Sequence, residues 1–446
     1  MVYTVSDVNM TVPRRVQVVL IVDGVYEIPS KYFANCHELK HVILPDSIKI
    51  IGNFAFDNCR KLEMITLPTD LYSIGKGCFQ NCVKLKMMFL PSNLHYLHDS
   101  AFKGCSDLQC INLPLKLKQV GHELFFQCTK LEHVSLPQQV ICIQDSAFYQ
   151  CLSLKSITIP SSTTNLEDHC FEDCRSVRWV CFTKRSSMQE PIMFGESVFA
   201  LCINLLQIDF TNSGLTIIGE SCLALCHNLR QVKLEKKMNT ISGKAFLHCK
   251  SIEYIGYDDL PGKICWDNDK FAMDLPYITD IEYSAFEGCL KLKSIKLYRN
   301  QNILSHAFSK CKNLNGISLP RYLKLQNNYC DFFSNNRKIE MMEIRSAAKD
   351  ISYSIAFHVM YEIVNRNKNL LHKPITIDGY RPFEVLIWVL VSEHKYNDRP
   401  TDLTITRVIY QFLRDEPNLI PLFECSDMYH ALLFSNKTNF KYLIFQ

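Results

Sequence analysis

From Phe33 to about residue 346 the apolar positions return every twenty-three places along the chain. Cys36, Cys59, Cys82, Cys105, Cys128, Cys151 and Cys174 are evenly spaced, and Cys202, Cys226, Cys249, Cys289 and Cys311 continue the series less regularly. Three residues before the cysteines stand Phe33, Phe56, Phe79, Phe102, Phe125, Phe148, Phe171 and Phe199, then Leu223, then Phe246, Phe286 and Phe308. Three residues after them comes an aliphatic such as Leu39 or Leu62, and the pair Val42 and Leu44, or Ile65 and Leu67, follows at alternate positions. A proline usually closes the segment, as Pro45, Pro68, Pro91 and Pro114 do.

A two-residue alternation with both members apolar reads as a short strand whose inner face is buried. The proline fits just past its end, where a lost amide donor is tolerated. A second aliphatic pair, such as Ile48 and Ile51, then turns the chain back, and the A-F-x-x-C segment is expected to close the coil as a short helix or helical turn. Self-similarity of 20–29 residues containing L-x-x-I-x-L is the mark of a leucine-rich repeat. About thirteen coils, the last lacking its cysteine and running through Phe333, Ile339 and Ile344, would stack into an arc roughly 60 Å long at one strand spacing each.

The unit I-G-x-x-A-F-x-x-C-x-x-L-x-x-I-x-L-P, seen in Ile51–Pro68, strongly resembles the BspA-like class of leucine-rich repeats. The resemblance implies a solenoid of binding or adhesive character with no catalytic residues. Many bacterial members are secreted, and this chain departs from them in lacking a visible export signal: Val16–Val22 is followed at once by Asp23-Gly24, which suits a strand entering a turn better than a signal-peptide core.

Three regions follow. Residues 1–29 are expected to form an N-terminal capping strand and turn, and residues 30–346 the repeats, with insertions near 183–198 and 256–283. Residues 347–446 should form a helical C-terminal cap domain, since Ile351–Val364, Pro382–His394 and Leu403–Arg414 have helical apolar spacing. An open solenoid end would otherwise expose its core. The fold class is therefore a leucine-rich-repeat solenoid of short parallel strands and helical turns, with an α-helical C-terminal cap.

Composition changes this picture little. Charged residues make up 21% of the 446 and the formal net charge is only +4, so nothing points to nucleic acid. No apolar run approaches the roughly 18–20 residues of a membrane span. The 21 cysteines invite a disulfide or zinc reading, but twelve share one phase of the repeat, where a small buried side chain is wanted and free cysteine behaves as a small hydrophobe. The apparent pairs Cys78/Cys82, Cys170/Cys174 and Cys222/Cys226 put their first cysteine where other coils have alanine, such as Ala55 or Ala101. No metal site, cofactor or catalytic motif is expected, and the chain does not read as an enzyme.

What remains is the outward face of the strands, at five and seven residues after each ladder cysteine. Ile43, Met64, Met87 and Phe89 make an apolar strip there, with Trp179 farther along, and Trp266 sits in the longer insertion. Contiguous exposed apolar surface marks interaction sites. These six residues are the expected contacts with another protein, on a non-catalytic scaffold placed in the cytoplasm; an exported surface adhesin is the alternative.

Overall fold

In the computed structural model the described residues are 2–8, 11–185, 190–257, 272–298 and 301–314, with the backbone of 316–319, 324–325 and 341–344. They form one coil repeated many times, and each coil lays one segment on each of three walls. The first wall carries the longer strands, from Val2–Val5, Val18–Ile21 and His41–Ile43 to Ser294–Lys296, Gly316–Leu319 and Met341–Ile344. The second carries two-residue strands, from Glu27–Ile28 and Ile50–Ile51 to Lys324–Leu325. Within each wall these strands pair in parallel with counterparts one coil away, as in His41↔Met64 and Ile50↔Ser73, in three successive sheets; the first wall breaks between Met64–Thr66 and Met87–Phe89 and between His133–Ser135 and Ser156–Ile159.

The third wall is where the expected short helix or helical turn should lie, and no helix occurs among the described residues. The A-F-x-x-C segment is instead a pair of tight turns. Amides of Ala34 and Cys36 bond back to Lys31 and Phe33 at 3.0 and 3.1 Å, while the alternate amides of Lys31, Phe33 and Asn35 reach the next coil at Asn53, Ala55 and Asp57, 2.8–2.9 Å away. To aim alternate amides along the stack, two residues per coil take left-handed backbone, such as Lys31 (φ 60°) and Asn35 (φ 63°). That conformation costs on the order of 1–2 kcal/mol for a residue with a side chain. The inter-coil hydrogen bonds offset it. A helix, about 10 Å across, could not repeat at the 4.7–4.9 Å strand spacing of the other two walls.

Inside, Phe33 through Phe171 and Phe199 are fully buried. Their rings stack face to face with centroids 5.0–5.7 Å apart. Leu223 interrupts the column, and Phe246, Phe286 and Phe308 resume it. The ladder cysteines are buried and unbonded to one another. They are more than small fillers, however. From Cys59 onward each Sγ donates to the carbonyl of the ladder residue one coil back, as Cys82 does to Phe56 at 3.2 Å, Cys105 to Phe79 at 3.1 Å and Cys249 to Leu223 at 3.0 Å. A thiol is small, largely apolar and a weak donor. Alanine would leave that carbonyl without this donor.

The interruptions resolve unequally. After Arg185, whose guanidinium holds the Thr163 carbonyl at 2.5 Å, the chain rejoins the regular coil at Met193–Phe194, paired with Asn165–Leu166. The longer insertion is narrower than the 256–283 expected. Met273–Asp274 already stands in the first wall between Tyr254–Gly256 and Ser294–Lys296, whereas the second wall runs directly from Thr240–Ile241 to Asp280–Ile281. The first wall thus gains one strand the other lacks. Residues 258–271, with Trp266, and the expected helical cap at 347–446 lie outside the described residues. The segment 1–29 supplies two strands to the first wall and Glu27–Ile28 to the second, continuous with the repeats.

Removing one ring from the stack should be costly. Phe102 is flanked by Phe79 and Phe125 at 5.5 and 5.7 Å, and Phe102→Ala should lower stability by roughly 3–5 kcal/mol through lost burial and a cavity. Denaturant unfolding checks this, with the exposed Phe89→Ala as a control that should shift the midpoint little; equal midpoints would mean the ring column carries no stability.

The thiols predict alkaline sensitivity. Burial pushes Cys105 and Cys311 up to about 12, and Cys128, Cys151 and Cys289 well above the ordinary thiol value. An unfolded thiol ionises near 8.5. Because the folded value lies above the unfolded one, this stabilisation is complete below about pH 8.5 and is lost as pH rises toward the folded value. Each such thiol then removes roughly 1.4 kcal/mol per pH unit. The urea midpoint should fall steeply between pH 8.5 and 10, and a flat profile across that range would overturn the assignment.

Candidate surface on the strand wall

Alternation decides which side chains the first wall shows to solvent. In His41–Ile43 the central Val42 is buried, and in Met64–Thr66 and Met87–Phe89 the central Ile65 and Met88 are buried. The flanking residues therefore point out. Phe89 is 71% exposed, Met64 55%, Met87 53% and Ile43 50%. These four expected contacts lie together on adjacent strands. Trp179, also exposed, is four strands beyond Met87–Phe89, separated from it by Cys110/Asn112, His133/Ser135 and Ser156/Thr158.

The strip extends farther toward the N-terminus than sequence reasoning placed it. Register aligns Val2, Val18, His41 and Met64 in one column, and Thr4, Leu20, Ile43 and Thr66 in the other. Val2 is exposed, and Val18 and Leu20 are half-buried. These strands carry no ladder cysteine or phenylalanine, so the repeat could not assign their phase. The alternation of Val19 and Ile21 as buried partners was the available signal.

At its other end the strip is closed by Asn112. Its side chain turns back onto the preceding coil, donating to Leu90 O at 2.9 Å and accepting from Leu90 N at 3.0 Å. Toward the C-terminal coils the same wall becomes charged: Lys233 faces Asp209 at 4.0 Å, and Asp274 accepts from Tyr298 at 2.5 Å and faces Lys296 at 3.4 Å.

The rims differ in charge. The side beyond the strand ends carries the exposed acids Asp23, Asp46 and Asp70, the last 3.4 Å from Lys49. The opposite side carries Lys40, Glu63 and Lys86, with the ion pairs Lys61–Glu38 (2.8 Å) and Lys84–Asp107–Lys130 (3.1 and 2.6 Å) behind it. Lys130, then Lys84, holds the Asp107 carboxyl below its usual range. Such exposed pairs align coils at a gain of about 0–1 kcal/mol each.

A second exposed group was not foreseen. On the two-residue-strand wall Tyr72 stacks on His95 at 4.7 Å and meets Tyr96 edge-on at 5.3 Å, with His98 6.1 Å from Tyr96. The two tyrosines stand close to one repeat apart, so a spacing signal existed, but it belongs to one pair of coils only. Among the described residues no group of His, Cys, Asp and Glu is arranged to hold a metal ion, and no helix is long and apolar enough to cross a membrane.

Three walls of stacked strands and turns, with no helix among the described residues, define a leucine-rich-repeat solenoid. The chain belongs to the BspA type leucine rich repeat family, whose repeat region matches residues 16–132, 141–264 and 270–368. Among solved structures it is similar to a leucine-rich repeat protein from Bacteroides ovatus, with 27% identity, a TM-score of 0.64, and coverage of 77% of this chain and 82% of that one. A leucine rich cell surface protein from Faecalibacterium prausnitzii shares 24% identity over 73% of this chain and 84% of its own, at a TM-score of 0.45. A T. pallidum leucine rich repeat protein shares 32% identity over 42% of this chain and 77% of its own, at a TM-score of 0.31. No curated protein matches the chain.

Exposure separates the cysteines into two sets. Cys110 and Cys181 are exposed on the first wall, whereas the ladder thiols are buried. A soluble maleimide at pH 8 should modify Cys110 and Cys181 in the native protein at least a hundredfold faster than Cys105, Cys128 and Cys151. Peptide mapping by mass spectrometry reads the rates, and comparable labelling of both sets would contradict the buried ladder.

Proposed function

We propose that the protein is a non-catalytic interaction module that binds another protein through the first wall of its solenoid. One observation carries the reading: Ile43, Met64, Met87 and Phe89 are exposed on three consecutive strands of one wall. Large apolar side chains in contact with water gain by being covered, and contiguous patches of this sort mark interaction sites on soluble proteins. The rigid stack holds the strip in place, so little ordering is needed on binding. Trp179, on the same wall, offers a further contact to a partner long enough to reach it.

As a scaffold the protein works in the cytoplasm; as an adhesin of the kind the family includes, it is displayed outside the cell. Fractionation of intact against permeabilised cells separates the two locations without altering the surface that binds.

The double substitution Met87→Glu plus Phe89→Glu tests the binding reading. Both side chains face solvent, so the thermal midpoint should stay within a few degrees of wild type while co-purification of the wild-type partner is abolished. Unchanged capture by a folded variant would place the contact elsewhere and sink the proposal.

A further inference from the structure

The shape of the strip narrows the kind of partner. Resting on the reading just given, we propose that it seats an amphipathic α-helix with a basic flank, presented by the partner protein.

The strip is at most two side chains wide: Val18 with Leu20 and Met87 with Phe89 fill both columns, whereas Val2, Ile43 and Met64 share their strands with Thr4, His41 and Thr66. Outward residues two apart on a strand are about 7 Å from each other, and a helix is a cylinder about 10–12 Å across. Its length runs over five strands, Val2–Val5 to Met64–Thr66 in one hydrogen-bonded sheet and Met87–Phe89 beginning the next, or four spacings of about 4.8 Å, close to 19 Å. That corresponds to about thirteen helical residues at 1.5 Å each. Along this axis the helix presents an apolar side chain at every turn, about 5.4 Å apart, near enough to the strand spacing for three or four knobs to sit between successive rows. Asn112, bonded back to Leu90, ends the apolar run on one side.

A flat partner fits less well. The strip offers two outward residues on each of five strands, well short of the roughly 20–30 residues a side of a standard interface. A second copy pressed face to face would have to bury the polar and charged rims as well. A cylinder resting on the strip leaves those rims beside it, in water and available for pairing.

The rims set the polarity of the flank. Asp23, Asp46 and Asp70 line one side at successive coils, with Lys49 paired to Asp70 so that Asp23 and Asp46 carry the charge a partner would meet, and Lys40, Glu63 and Lys86 on the other side alternate in sign. Basic residues on one flank of the helix therefore gain, and the other flank carries no such demand. Complementarity of this sort acts on association rate and on partner choice.

The test uses the full chain and synthetic peptides of about fourteen residues. The probe carries leucines at i, i+3, i+4 and i+7 spacing with lysines along one flank. One control replaces those lysines with glutamates, and another scrambles the leucines off the common face. Fluorescence anisotropy should show binding of the lysine-flanked peptide, weakened at least tenfold by Met87→Glu plus Phe89→Glu and by the milder Phe89→Ser. Asp23→Lys plus Asp46→Lys should weaken it several-fold and favour the glutamate-flanked peptide. Equal binding of the scrambled peptide, preference of wild type for glutamates, or no binding would overturn the proposal. So would a wild-type dimer that the glutamate variant makes monomeric, or a photo-cross-link from position 89 into residues 345–446 of the same chain. If no helix binds yet the double variant loses its cellular partner, the helix is wrong while the protein-binding reading stands. If helices bind but the variant keeps its partner, that reading falls instead.

Discussion

Everything in this molecule depends on one spacing. Parallel strands hydrogen-bond at 4.7–4.9 Å, and once two walls of each coil adopt it the third has no choice. A helix there would hold its amides within one coil and keep its neighbours about 10 Å away. The chain instead takes left-handed backbone at positions such as Lys31 and Asn35, so that amides point along the stack. Phenylalanine rings that must repeat at the same pitch can do so only face to face, and their centroids at 5.0–5.7 Å are close to that limit. Ring column, thiol bonds and turn wall are consequences of the strand spacing.

Much of this could be read from the residues alone. The even return of Phe, Cys, Leu and Pro located the coils and their inner faces, and the parity of a strand told which residues face out; Ile43, Met64, Met87 and Phe89 are exposed as that parity requires. Two things escaped. The closing segment was read as helical because Ala-Phe-x-x-Cys has good local spacing for a turn of helix, and local spacing says nothing about the pitch imposed by neighbouring coils. The strand at Val16–Val22 was legible, but its outward phase escaped because Val18–Ile21 lacks the ladder residues that set the phase elsewhere.

The surface divides along the axis. Apolar residues prevail on the first wall in the N-terminal coils, mostly polar ones with Trp179 among them in the middle, and the pairs Asp209–Lys233 and Asp274–Lys296 in the C-terminal coils. A stack in which each coil touches only its neighbours permits this, since outward residues of one coil do not constrain those of another. The core repeats while the exterior varies, so a contact site can be written onto a few coils without disturbing the rest.

The thiol column bears on where such a protein can live. Cysteine-rich chains usually announce their compartment: bridged outside the cell, reduced within it. Here the ladder thiols already hold carbonyls one coil back, as Cys82 holds Phe56. Their neighbours stand a strand spacing apart, wider than the 3.5–4.5 Å between Cβ atoms that a bridge prefers. Oxidants in solution do not reach them. Once folded, the ladder is shielded from the redox state of its surroundings, while Cys110 and Cys181 on the first wall stay open to it.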